Sequence, residues 1–310
     1  MSEFGLIARH FRPLSGPGGL ALLDDAALLQ PPPGRELVLT VDAMVEGVHF
    51  LPDDPPDLVA RKLLRVNLSD LAAKGAMPLG YLLTVSARRG TPESWFAGFA
   101  AGLAEDQAQF GIALMGGDTT STPGPVSLSL TAIGHVAPGG MVRRDGARPG
   151  DAVWVTGTIG DGALGLRAIR GEVADSDGFL ADRYRLPQPR LGLAAPALVR
   201  AGMDVSDGLV QDLGHICTAS GVGAIIRADA VPLSPPARQA GQLETYLTGG
   251  DDYELLFAVD PAEEAALRSA ASATGIKVTR IGEFEPGSVV RVLDANGGEM
   301  TFRSRGWSHF

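Results

Sequence analysis

Acidic residues recur beside Gly, Ser or Thr where secondary-structure elements should end: Asp24-Asp25, Asp42, Asp70, Asp118, Asp204, Asp207 and Asp251-Asp252. Such places expose a short carboxylate together with backbone carbonyls. Hard divalent cations take oxygen donors of this kind, and Mg2+ completes its shell with water and phosphate oxygens. Each position also has an ordinary structural reading. Asp24-Asp25 suits a surface turn, and Asp42 a turn cap after an apolar strand. Asp70 suits a helix-surface network with Asn67 and Lys74. Asp204-Val205-Ser206-Asp207-Gly208 suits a helix N-cap, and Gly249-Gly250-Asp251-Asp252 a tight turn into a strand. Asp118 is the most pointed, because a short buried strand delivers the chain into Gly116-Gly117-Asp118. No single carboxylate decides the matter; their joint appearance in this order favours a site for divalent cations.

Several phosphate and metal chemistries are excluded. The chain has no Gly-Lys dipeptide and hence no Walker-type phosphate loop. It has neither the HRD nor the DFG element of a protein kinase. His10, His49, His135, His215 and His309 lack HExxH spacing, so zinc is not expected. Gly157-Thr158-Ile159-Gly160-Asp161-Gly162 follows a strand, but its third glycine comes too early for a dinucleotide fingerprint. It reads as a tight turn.

The elements that must position these residues follow from periodicity. Residues 35–42 predict a strand, and 57–74 a helix with Leu58, Leu64, Leu68 and Leu71 at helical spacing and Asp57 as its cap. Residues 81–87 predict a strand. A helix starts at Thr91-Pro92-Glu93 and runs to about Gln109, with Gly111 as its stop. Strands are expected at 112–115 and 126–136. In the second half, strands are expected at 153–156, 224–227, 254–259 and 277–281, with helices at 207–219 and 261–273. Asn296-Gly297 marks a hairpin turn. The Gly-, Arg- and Pro-rich stretch 137–150 carries the domain boundary, giving residues 1–147 and 148–310 and an α/β (α+β) architecture in two halves.

Composition narrows the class. A chain of 310 residues with 45% apolar content suits two globular domains. No apolar run reaches the roughly 18 residues that span a bilayer, and the start, MSEFGLIARHF, lacks the features of a signal peptide. No membrane association is expected. The net charge of −10 disfavours nucleic acid as a partner. The single cysteine, Cys217, reads as a small buried hydrophobe, fits a reducing compartment and agrees with a cytoplasmic location.

The order of motifs resembles the thiamine-monophosphate kinase family over essentially the whole chain. The matching pieces are EFGLIARHF, DDAALL, VDAMVEGVHF, VNLSDLAAKGA, LMGGDTT, RRDGARPGD, VTGTIGD, DVSDGLVQDLGH, GGDDYELLF and GWSHF. VNLSDLAAKGA and GGDTT are shared with the wider aminoimidazole-ribonucleotide-synthetase-like superfamily; VEGVHF, DVSDGL, DYEL and the closing SHF are similar to the thiamine-phosphate branch. The resemblance implies an N-terminal domain whose sheet pairs in a homodimer and a C-terminal α/β domain that completes the site. It also implies roles. Asp25, Thr40, Val41, Asp42, Asp70, Asp118, Asp204 and Asp207 would hold several Mg2+ ions. Gly117, Asp118, Arg144 and Ser206 would contact ATP, and His49, Asp251 and Trp307 thiamine phosphate. Three positions depart from the family pattern: Leu23 where Gly is usual, Val41 where Ser or Thr is usual, and Asp251 where Glu is usual. A ligand at Val41 must therefore be its backbone carbonyl.

The implied reaction is direct transfer of the γ-phosphoryl group of ATP to a phosphate oxygen, with metal ions neutralising charge and no side chain acting as catalytic base. Competing expectations are another ATP-using synthetase of the superfamily and a non-catalytic nucleotide-binding module. A selenophosphate synthetase would carry a Cys or selenocysteine and a Lys near its N-terminus, and this chain has neither there.

Overall fold

The computed structural model describes residues 2–309; Met1 and Phe310, the last residue of the terminal motif, lie outside them. The chain divides into two compact units. One runs to Leu71 and resumes at Ala76–Gly139; the other comprises Ala72–Gly75 and the chain from Gly140 onward.

The first unit begins with α1 (Glu3–Leu6) and short irregular helical turns up to Leu22. Its body is a four-stranded sheet of β1 (Glu36–Val45), β2 (Met77–Arg88), β3 (Leu114–Thr122) and β4 (Ser127–Val136), in the order β1-β4-β2-β3. β4 pairs antiparallel with β1 and β2, and β2 runs parallel to β3. Two helices belong to it, α2 (Pro56–Ala73) and α3 (Glu93–Phe110). Side chains alternate across a strand, and here the two faces differ. Val38 and Met44 of β1, Tyr81, Leu83 and Val85 of β2, and Leu128 and Leu130 of β4 are buried, as are Leu64, Leu68 and Leu71 of α2 and Phe99 and Leu103 of α3. On the other face, Leu37, Leu39 and Val41 of β1 and Leu82 of β2 are exposed, Leu39 by 63% and Val41 by 61%.

α2 is buried nearly all round, so its polar residues need partners. Arg65 binds Asp106 of α3 through two bonds of 2.7 and 3.0 Å, and Lys62 donates to the carbonyl of His49 at 3.0 Å. α2 begins at Pro56, which places Asp57 inside its first turn rather than at the expected cap. The larger departure is β3. The expected strand at 112–115 leads into a loop, but the observed strand continues through Gly116-Gly117-Asp118-Thr119-Thr120 to Thr122. Its outer half is polar and exposed at a sheet edge, so no apolar alternation announces it.

In the second unit a six-stranded sheet has the order β10-β7-β9-β5-β8-β6. Its strands are β5 (Ala152–Thr156), β6 (Ala201–Asp204), β7 (Gly223–Arg227), β8 (Leu255–Val259), β9 (Val278–Glu285) and β10 (Val290–Leu293). The helices are α4 (Asp161–Ile169), α5 (Phe179–Arg185), α6 (Leu209–Ser220), α7 (Pro235–Ala240), α8 (Leu243–Thr248) and α9 (Glu264–Thr274). β5 is central and buried at every position. Val153 and Val155 join the core that holds Leu213 and Ile216 of α6, while Ala152 and Trp154 join the core that holds Leu267 and Ala271 of α9. The Gly157–Gly162 stretch is a turn whose Gly160, at φ +88°, opens α4. The expected turn at Asn296-Gly297 returns the chain so that Leu293 bridges Glu299 antiparallel.

Candidate active site

In the first unit the implied metal residues fall into two groups. The first sits on the helix-facing side of β1. Thr40 donates its hydroxyl to Asp70 of α2. The backbone N–H of Asp42 donates to Asn67 of the same helix at 3.1 Å. Asn67 is fully buried and anchored by its own bond to the Leu63 carbonyl at 2.9 Å, so α2 fixes where Asp42 sits. Val41 points its side chain to the opposite, exposed face.

The second group lines a cavity of about 470 Å³. Asp24, Asp25, Gly117, Asp118 and Thr119 supply its polar wall, and Ile7, Phe11, Leu22, Leu29 and Leu82 its apolar one. Leu20, Ala21 and Leu22 all take left-handed φ, between +52° and +56°. For residues with a Cβ this costs about 1–2 kcal/mol each, so the surrounding structure must hold this segment at the cavity wall. Gly117 is required where it stands: a Cβ there would lie 1.8 Å from the Leu83 carbonyl oxygen. Asp42 and Asp118 are not brought together. They lie on opposite edge strands and opposite faces, with β4 and β2 between them. That is about 14 Å along the sheet at ordinary strand spacing, too far for one ion to bind both within a single sheet.

His49 follows β1 in a tight loop. The Val45 N–H donates to its Nδ1 at 3.0 Å. A neutral ring held this way carries its hydrogen on Nε2, which makes that atom a donor.

In the second unit two loops bind each other. The Asp251 N–H donates to the Ser206 carbonyl at 2.9 Å, the Tyr253 N–H to the Val205 carbonyl at 2.8 Å, and the Val205 N–H to the Glu254 carbonyl at 2.8 Å. Gly250 permits the approach, since a Cβ there would lie 2.3 Å from the Ser206 oxygen. The C-terminal tail docks on the same place. The Trp307 N–H donates to the Asp207 carbonyl at 2.9 Å, and Gln211 of α6 donates to the Trp307 carbonyl at 2.7 Å. Ser206, Asp207, Asp251 and Trp307 are thus one cluster, and Asp204 ends β6 just before it. The Trp307 ring remains 54% exposed. Arg143 pairs with Asp145 at 2.8 Å, whereas the Arg144 side chain has no such partner among the described residues.

Sequence reasoning missed Asp212 and Glu254, and the role of Asp252, in holding these loops. Asp212 accepts N–H bonds from Ser206, Asp207 and Gly208 at 3.0, 3.0 and 3.1 Å. Burial, and then the charge of Asp207, push its carboxyl up to about 7, against those three bonds. Asp252 accepts from Gly160 at 2.7 Å and Gly162 at 3.0 Å, and burial pushes it up to about 8. Glu254 is buried between Arg183, at 3.0 Å, and Arg190, at 2.6 Å. The DVSDGLVQD and GGDDYE strings contained these residues, but only their bonds to distant backbone reveal the role.

The same two-part organisation appears in known proteins. Residues 23–136 match the AIR synthase related protein, N-terminal domain, and residues 148–294 match its C-terminal domain. The chain is 49% identical to a thiamine-monophosphate kinase of Caulobacter vibrioides, over 99% of this chain and 91% of that protein. The chain belongs to the thiamine-monophosphate kinase family. A solved structure of the family from Stenotrophomonas maltophilia is 41% identical, covers 97% of this chain and 98% of its own, and superposes with a TM-score of 0.85. A structure of AaThiL complexed with AMPPCP and TMP is 30% identical, covers 99% and 97% of the two chains, and has a TM-score of 0.78. The mixed α/β, two-sheet architecture of this family is the one observed here.

Proposed function

We propose that this chain transfers the γ-phosphoryl group of ATP to thiamine phosphate, forming thiamine diphosphate by direct in-line transfer. The observation that carries the reading is the docking of Trp307 on Asp207 beside Ser206 and Asp251. It joins an aromatic face to oxygen donors in a chain whose relatives include a complex with an ATP analogue and TMP. ADP release on mixing the chain with ATP, Mg2+ and thiamine phosphate tests it; no ADP above the rate without acceptor would refute it.

The donors suit magnesium. Carboxylates, the Thr40 hydroxyl and the Val41 carbonyl are all oxygen, the preference of a hard cation. Asp25, Thr40, Val41, Asp42, Asp70 and Asp118 would hold it in the first unit, and Asp204 and Asp207 in the second. When bound, Mg2+ supplies neutralisation of phosphate charge in a strongly acidic protein. The cavity beside Gly117 and Asp118 offers apolar walls for a nucleotide base, and Arg144, rather than the paired Arg143, is the guanidinium left for its phosphates, with Ser206 a further ATP contact. On the acceptor, the Nε2 hydrogen of His49 donates to phosphate, Asp251 binds the substrate, and the Trp307 ring stacks on the cationic thiazolium.

Trp307→Ala checks that placement. Loss of stacking and cation–π contact worth about 1–2 kcal/mol should raise the Michaelis constant for thiamine phosphate roughly tenfold and leave that for ATP unchanged. An equal loss for both substrates, or none for thiamine phosphate, would make Trp307 a structural tail residue.

The exposed apolar face of β1 and β2 supports a homodimer, because a single chain leaves Leu37, Leu39, Val41 and Leu82 in water. Leu39→Asp should shift the mass measured by light scattering from dimer to monomer. A wild-type monomer at micromolar concentration would dismiss the pairing.

A further inference from the structure

The start of α6 gathers three potential ligands that the reaction above does not use together. Asp207, Asp212 and His215 each offer one ligand atom, and the three atoms lie within 4.8 Å of one another. Asp212 and His215 are three residues apart on one helix and so share a face, while Asp207 lies in the loop immediately before it. Asp212 is only 1% exposed. Its Oδ2 accepts three backbone N–H groups, which lock the carboxylate in place. Its Oδ1 is equally buried and has no hydrogen-bond partner among the described residues. A bare buried acceptor is rare in a folded protein. Asp207 is oriented from its other side by Gln211, which donates to its Oδ2 at 3.2 Å. His215 is exposed, so an ion has a route in and the ring has room to turn.

We propose that Asp207, Asp212 and His215 form a binding site for a borderline divalent cation, with Zn2+ held more tightly than Mn2+ and both more tightly than Mg2+. The order follows from the donors. Two carboxylate oxygens alone would suit a hard ion, but an imidazole nitrogen moves the preference toward the later first-row metals. The missing HExxH spacing is no obstacle, because the imidazole's companions are carboxylates from the preceding loop and turn. An ion here would satisfy the bare Asp212 oxygen and relieve the repulsion between the two carboxylates. It would also stiffen the loop whose Asp207 carbonyl receives the Trp307 N–H. The proposal shares Asp207 with the magnesium assignment above and rests on that reading only for the loop's place in the active site.

The test uses the full chain without nucleotide and the metal ions alone. Zn2+, Mn2+ and Mg2+ are titrated calorimetrically into wild type, His215→Ala and His215→Gln, and melting temperatures are recorded with and without Zn2+. The expected result is one Zn2+ per chain, bound at least about tenfold more tightly than Mg2+. Both variants should lose at least about tenfold in Zn2+ affinity and the Zn2+-induced rise in melting temperature, while melting normally without metal. Zn2+ binding that survives in both variants, or is no tighter than Mg2+, overturns the proposal. Failure of the wild type to phosphorylate thiamine phosphate with Mg2+ would instead overturn the functional reading, so the two failures are distinguishable.

Discussion

Asp118→Asn is expected to lower turnover by about 100- to 1,000-fold, the range found when one preorganised electrostatic contact to a reacting group is removed. Asp118 lies on an exposed stretch of β3 and faces the cavity that Asp25 also lines. Its neighbour Gly117 holds the strand against β2 by a close backbone approach that the substitution does not touch. The amide is nearly the same size as the carboxylate, so the melting temperature should not move. What changes is the charge: an amide oxygen is a weak ligand for a hard cation. EDTA should abolish wild-type turnover, and excess Mg2+ should restore it. Turnover is measured as ADP released with ATP, Mg2+ and thiamine phosphate. Normal turnover by the Asn variant would remove Asp118 from the metal assignment, because a metal ligand's charge could not be lost without cost.

Much of the first unit was legible because its strands and long helices carry periodic apolar residues. Residues 35–42 mark β1, and the leucines of 57–74 mark α2. Periodicity gives no account of which face is covered. Leu39 and Val41 alternate as regularly as Val38 and Met44, yet the first pair is exposed and the second buried. The polar end of β3 was hidden for the opposite reason: an exposed edge strand need not be apolar. In the second unit β6 and the short helices α4, α5, α7 and α8 lay below what pattern can detect. Of the candidate site, the aspartates announced themselves beside Gly, Ser and Thr, but their grouping did not. Thr40 meets Asp70, and the Asp42 backbone meets Asn67, because a helix crosses a strand. Ser206 meets Asp251 because β6 and β8 pair antiparallel, so the loop after one meets the loop before the other. The resemblance named Arg144 over its neighbour; that Arg143 pairs with Asp145 is a contact no spacing rule predicts.

Free thiamine is expected to give product about 1,000-fold more slowly than thiamine phosphate. The argument turns on what deprotonates the nucleophile. A phosphate monoester has a second pKa of about 6, so its attacking oxygen is already ionised at neutral pH. A hydroxyl must lose a proton during the reaction, and a positioned general base typically contributes 10²–10⁴-fold to such a step. The structure offers poor candidates for that base. Burial pushes Asp212 up to about 7 and Asp252 up to about 8, the right range for proton transfer, but both are enclosed, at 1% and 0% exposure. Each is also committed to backbone N–H groups of its own loops. His49 accepts the Val45 N–H on Nδ1, so in the neutral ring Nε2 carries the hydrogen and is a donor, not an acceptor for a hydroxyl proton. On the proposed base-free transfer, the acceptor arrives ionised. The comparison is made by measuring ADP release with each acceptor at saturating ATP and Mg2+, with the product identified chromatographically. Equal rates would mean that a base is present and that the enzyme is a hydroxyl kinase, and the account of base-free transfer would fail.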